Sequence, residues 1–170
     1  MAQIISIFGS NSNISNDLIE NVKNLGKAIV DNGYIICCGG REGIMSAIAE
    51  GARSSKLWTG KEIIGIIPSG DKKEANPFID IVIPSALGLY RNMLVARAGE
   101  ACIAIAGGAG TLSEIAFAWQ IGRPVAILDG SGGWAERLGG EIIDHRRDEP
   151  IVTLNSVEHA IEWINEIVKK

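Results

Sequence analysis

Short apolar runs alternate with polar, glycine-bearing segments along the chain, and stripes of apolar residues at helical spacing lie between many of them. Residues 3–8 are apolar and β-branched and end at Gly9-Ser10-Asn11-Ser12, which predicts a first strand opening into a polar loop. Leu18, Val22, Leu25 and Ile29 then recur every three or four residues, starting after Ser15 and stopping near Gly33, which predicts an amphipathic crossover helix. Residues 34–38 form a second apolar run. Gly39-Gly40-Arg41-Glu42-Gly43 follows it and leads into a helix carrying Ile44, Met45, Ile48 and Ala52.

The same unit recurs downstream. Residues 62–67 and 79–83 read as strands, joined by a polar loop with Pro68, Gly70 and Pro77 that is long enough to cover a site. Residues 87–100 read as a helix, 101–105 as a strand, 111–121 as a helix and 124–128 as a strand. Gly130-Ser131-Gly132-Gly133 is a turn signal, residues 144–148 are a mixed charge run expected on solvated surface, and residues 151–154 form a short strand. Asn155 followed by Glu158 predicts a capping box for a closing helix. Its apolar face is Val157, Ile161, Ile164 and Val168, and Lys169 and Lys170 suit the negative end of its dipole.

Strands alternating with helices through short connections require right-handed crossovers and a parallel sheet covered on both faces. The expectation is a single Rossmann-like nucleotide-binding domain over residues 1–170, a three-layer α/β sandwich with a doubly wound, mainly parallel sheet. A chain of 170 residues is long enough to bury roughly two thirds of its unfolded surface.

Composition narrows the partners. A net charge of −4 disfavours a nucleic acid polymer, whose binding rests on neutralising many phosphates, whereas a small anion needs only local arginines. Cys37, Cys38 and Cys102 form no CxxC and no zinc spacing, so they are expected as packed free thiols. The start of the chain lacks a secretion signal and no apolar run nears membrane-spanning length, so a cytoplasmic protein with no membrane partner is expected. His145 and His159 are isolated, and no metal site is expected. Trp58 and Trp119 are expected in the core or on a subunit surface.

Ligands of open parallel sheets bind beyond the carboxyl ends of the strands, so the loops at 9–12, 39–43 and 107–111 should converge. Gly9, Ser10, Gly39 and Gly40 are therefore candidate ligand contacts. The richest signal is Gly107-Gly108-Ala109-Gly110-Thr111, which lets a ligand approach the backbone where first-turn helix amides offer an anion site, with Glu114 one turn further on. No GxGxxG and no Walker pattern is present, which disfavours a dinucleotide or a triphosphate and leaves a monophosphate. The glycines alone also fit a plain tight connection, Arg97 an intrahelical ion pair, and Glu114 a helix-dipole role.

Gly39-Gly40 with Gly43 and Met45, Arg91 within Tyr90-Arg91-Asn92, and residues 107–111 with Glu114, in that order, resemble the Lonely Guy family of nucleotide phosphoribohydrolases and the related molybdenum cofactor carriers. The resemblance covers most of the chain. It implies Arg91 and Glu114 as the catalytic pair, Gly107, Gly108, Ala109, Gly110 and Thr111 as the phosphate holders, Arg97 as a second binding arginine, and a homodimer or higher homo-oligomer. It further implies hydrolysis of a nucleoside 5′-monophosphate to free base and ribose 5-phosphate, with no cofactor. The chemistry is consistent: breaking an N-ribosidic bond builds positive charge on the sugar, which a carboxylate can stabilise while it orients water.

Two positions depart from the enzymes' pattern: Asn92 stands where they carry a basic residue, and Ala106 where they carry proline. Both favour the alternative of a non-catalytic carrier or sensor of a nucleotide or of a pterin-type cofactor phosphate. Nothing marks a Schiff-base lysine for pyridoxal chemistry.

Overall fold

The computed structural model describes residues 3–11 and 14–168. Its strands are β1 (Ile4–Gly9), β2 (Ile35–Cys38), β3 (Ile63–Ile67), β4 (Ile81–Pro84), β5 (Ala101–Ile105), β6 (Val125–Leu128) and β7 (Val152–Leu154). They form one sheet in the order β4-β3-β2-β1-β5-β6-β7, every pair parallel. The helices are α1 (Asn16–Asp31), α2 (Ile44–Arg53), α3 (Arg91–Ala98), α4 (Ala109–Gln120), α5 (Gly133–Leu138) and α6 (Val157–Val168).

Residues alternate between two cores. Ile5 and Ile7 of β1 pack with α1, α2 and α6, while Phe8 packs with α3, α4 and Ala135 of α5. With helices on both faces a strand has no solvated side, which is why all five residues of β5 are buried. The chain winds outward from β1 to β4, then returns to place β5 on the other flank of β1. That reversal makes the crevice between β1 and β5 the switch point where such sheets bind ligands. The doubly wound parallel sheet expected from the alternation is thus observed.

Local chemistry sets the element ends. The Ser15 hydroxyl accepts from the Leu18 amide at 3.2 Å and starts α1. Helices α1 and α2 approach so closely that a Cβ at Gly26 would lie 2.1 Å from the Ile48 carbonyl oxygen, and one at Gly51 2.0 Å from that of Lys23. The contact therefore admits only glycine at those two positions.

Several boundaries differ from the sequence expectations. The helix expected over 87–100 is the shorter α3, preceded by a 3-10 turn at Gly88–Tyr90, because Gly99 is already extended. Helix α4 begins at Ala109, so Ala109 and Gly110 are helical rather than part of the loop. The glycine turn at 130–133 conceals the start of α5, whose first residue Gly133 has φ +64°. The first turn of α6 is capped by Ser156, whose hydroxyl accepts from the His159 amide at 3.1 Å; Asn155 instead meets the His159 ring. Within the charge run, Arg147 is only partly exposed and donates to the carbonyls of Ala118, Trp119 and Arg123 while stacking on Trp119. Ser12, Lys169 and Lys170 lie outside the described residues. Among the described residues no helix is long and apolar enough to cross a membrane.

Candidate functional site

The loops after β1, β2 and β5 meet at the switch point around a cavity of about 350 Å³. It is lined by Gly9, Ser10, Asn11, Arg41, Met45, Leu89, Arg91, Asn92, Gly108, Gly110, Thr111 and Glu114. One wall is the start of α4. The first intrahelical bond there is Leu112 N–H to Gly108 C=O at 3.0 Å, which leaves the amides of 109–111 without a helical partner at the positive end of the dipole. A helix start of this kind has the geometry and dipole to receive an anion.

This wall is held from behind. Gly107 has φ +92°, and a Cβ there would lie 2.1 Å from the Thr111 hydroxyl, so only glycine fits. Ala106 also sits in the left-handed region, at φ +54°. Its amide donates to the Ser131 hydroxyl at 2.9 Å and its carbonyl accepts from the Ala135 amide at 3.1 Å, while the Trp134 amide donates to Gly107 C=O at 2.9 Å. The β6–α5 connection therefore clamps the glycine loop. A proline at 106 could supply neither the φ nor the donor, which gives the Ala106 departure a structural reason.

Arg91 opens α3 and Glu114 lies in the second turn of α4. Arg91 Nη1 donates to Glu114 Oε1 at 3.1 Å, with the side chains only 11% and 7% exposed. The guanidinium lies against Gly39, where a Cβ would come within 2.3 Å of Nη1. Glycine at 39 thus makes room for the arginine. Burial pushes the Glu114 carboxyl up to about 7, and the positive charge of Arg91 only partly offsets it. A carboxyl poised near neutrality inside a cleft is the environment expected of an acid–base or charge-stabilising group.

Asn92 is buried and ties α3 to α4: its amide donates to the Ser113 hydroxyl at 2.8 Å and to Gly110 C=O at 3.4 Å. The residue that departs from the enzymes' pattern is therefore a brace of the anion-receiving wall.

Of the expected site residues, Gly9, Ser10, Gly108, Gly110, Thr111, Arg91 and Glu114 line the cavity. Gly39, Gly40 and Gly107 stand behind it, and Ala109 is the exposed first residue of α4 outside the lining. Arg97, expected to bind, is not brought to the site: it is exposed near the far end of α3 and outside the cavity lining. A step of six residues turns a helix about 120° away, which puts it on another face from Arg91. Asn11, expected from the sequence as a polar group able to donate to a ligand, also lines the cavity, whereas sequence reasoning did not single out Arg41 or Leu89; the position of Arg41 directly after the paired glycines was the available signal.

The three thiols are buried, and burial pushes Cys38 up to about 11 and Cys102 up to about 12. They act as packing groups rather than nucleophiles. Among the described residues no three His, Cys, Asp or Glu side chains group to hold a metal ion.

Fold and cavity together define a Rossmann-like α/β protein with a glycine loop and an open helix start at the switch point of its sheet. The chain belongs to the SLOG cluster4 family, whose sequence profile matches residues 2–161. An uncharacterized protein of Archaeoglobus fulgidus is 38% identical over 104 residues, spanning 61% of this chain and 66% of the relative, just under two thirds of its length. The cytokinin riboside 5′-monophosphate phosphoribohydrolase of Mycobacterium tuberculosis is 27% identical over 134 residues, covering 74% of this chain and 70% of that protein. Among solved structures, the molybdenum cofactor binding protein of the phototrophic bacterium Rippkaea orientalis superposes with a TM-score of 0.85 at 28% identity, over 99% of this chain and 98% of that one.

Proposed function

We propose that the chain binds a nucleoside 5′-monophosphate across the switch-point cavity and hydrolyses its N-ribosidic bond to free base and ribose 5-phosphate. The observation that carries this reading is the buried Arg91–Glu114 pair beside the open amides of α4. The phosphate rests on the amides of 109–111. Ionised Glu114 faces the sugar, stabilises the positive charge that develops as the C1′–N bond breaks, and orients a water for attack at C1′. The water proton passes through the carboxylate to the departing base. Arg91 favours the ionised form of Glu114 against its burial and fixes its orientation. The similarity to the Mycobacterium tuberculosis phosphoribohydrolase supports the same assignment.

A second reading, carriage or sensing of a nucleotide or pterin phosphate on the same wall, is favoured by Asn92 and Ala106 and by the likeness to the Rippkaea orientalis protein. Incubation of the purified protein with a panel of nucleoside monophosphates, followed by chromatography of the products, separates the two. Release of base that is lost in Glu114→Gln supports hydrolysis. No release, with monophosphates still raising the melting temperature, supports carriage.

The proposed assembly is a homodimer or higher homo-oligomer. Leu89 and Tyr90 are 82% and 81% exposed beside the cavity, and with Leu87 and Met93 they offer an apolar face for a second copy. The buried free thiols fit a reducing, cytoplasmic setting.

A further inference from the structure

Arg41 reaches the cavity from the end of β2, on the opposite flank of β1 from the β5–α4 loop. Two inter-strand spacings, about 10 Å, separate the strands that carry Arg41 and the anion-receiving wall. A ligand with its phosphate on α4 and its sugar at Glu114 would therefore extend its head group toward Arg41.

The backbone of Arg41 is fixed while its guanidinium is only loosely held. Buried Asn76 donates from its side chain to Arg41 C=O at 2.8 Å and from its amide to Gly40 C=O at 2.9 Å. The guanidinium pairs at 3.2 Å with Glu74, which also accepts from the Ser69 hydroxyl at 2.7 Å. Both members of that ion pair are about half exposed, at 40% and 49%, so the pair is weak and exchanges readily for a better-shielded acceptor. Met45 and Leu89 supply apolar lining in the same cavity.

We propose that Arg41 is the specificity-determining residue of this site and selects 6-oxopurine nucleotides over 6-aminopurine nucleotides. The inference rests on the nucleotide reading above. A guanidinium has five donors and no acceptor, and its fork matches the adjacent O6 and N7 acceptors of guanine or hypoxanthine. Adenine presents an amino donor beside N7, which sets donor against donor. Glu74 holds the fork until such a head group displaces it.

The test is a titration of guanosine, inosine and adenosine monophosphates and of ribose 5-phosphate into wild type, Arg41→Ala, Arg41→Lys and Glu74→Gln. Wild type is expected to bind the two oxopurine nucleotides about tenfold more tightly than adenosine monophosphate. Arg41→Ala and Arg41→Lys lose that preference with ribose 5-phosphate affinity unchanged, and Glu74→Gln binds guanosine monophosphate more tightly. The inference is overturned if wild type shows no oxopurine preference. It is equally overturned if Arg41→Ala weakens ribose 5-phosphate as much as guanosine monophosphate. Wild type that binds none of the four overturns the nucleotide reading itself, and the inference with it.

Discussion

The backbone amide of Ala106 donates to the hydroxyl of Ser131 at 2.9 Å, across the gap between the glycine loop before α4 and the loop that follows β6. This bond and the left-handed backbone at residue 106 are jointly incompatible with proline. Ala106→Pro is expected to cost on the order of 3 kcal/mol, and Ser131→Ala about 1–2 kcal/mol through an amide left without its partner. Ala106→Gly, free of the left-handed penalty, should be neutral or slightly stabilising. Urea unfolding of the three variants checks the order; a proline variant as stable as wild type would contradict it.

Glu114 makes stability fall as pH rises. Its carboxyl stands at about 7 in the folded protein against an ordinary value of 4.5, because burial outweighs the attraction of Arg91. A raised value favours the protonated form, so its stabilising contribution is complete below about 4.5 and is lost as the pH climbs through about 7. The loss is on the order of 3 kcal/mol, which corresponds to about 5–10 °C in melting temperature for a domain of this size. Glu114→Gln should remove this dependence and exceed wild type in stability at pH 8. Parallel melting profiles for the two proteins between pH 5 and pH 8 would sink the assignment.

Asn92 braces the start of α4 through Ser113 and Gly110. Asn92→Ala should cost about 1–2 kcal/mol, since it leaves a cavity and removes the bridge. It should also weaken phosphate affinity, because the amides of 109–111 depend on that helix end being fixed. Titration with ribose 5-phosphate measures the second effect, and unchanged affinity would show that the brace is dispensable for binding.

Arg147 stacks on Trp119 at 4.6 Å and donates to three carbonyls around the end of α4. Arg147→Ala should destabilise by about 2 kcal/mol, and Arg147→Lys should recover little of it, because an ammonium has no planar fork to lie on the indole. Full recovery in the lysine variant would show that charge alone matters there.

The fold was legible wherever periodicity was long. The stripe Leu18, Val22, Leu25 and Ile29 and the apolar run of β5 each produced the expected element, because a helix buried on one face leaves a periodic stripe and a strand buried on both faces leaves a continuous apolar run. Helix α5 was hidden because its first turn is glycine at positive φ, a turn signal that happens to start a helix. Arg147 read as solvated surface because its partners are carbonyls, which no side-chain pattern reports. In the site, Glu114 stood out by its place one turn past the glycine loop, and Arg91 through the resemblance to the Lonely Guy family. Arg97 did not join them, since helical phase rather than residue type decides which arginine faces the cleft. Arg41 was passed over because its relation to Glu74 and Asn76 spans more than thirty residues of chain.

The most direct test of the central claim is the pH dependence of kcat/KM for base release from a nucleoside 5′-monophosphate, with Glu114→Gln alongside. A working carboxylate predicts a rate that rises with pH to a plateau, with an inflection near 7, and loss of release in the variant across the range. Release that persists in Glu114→Gln, or a wild type that binds monophosphates yet releases no base at any pH, would contradict it.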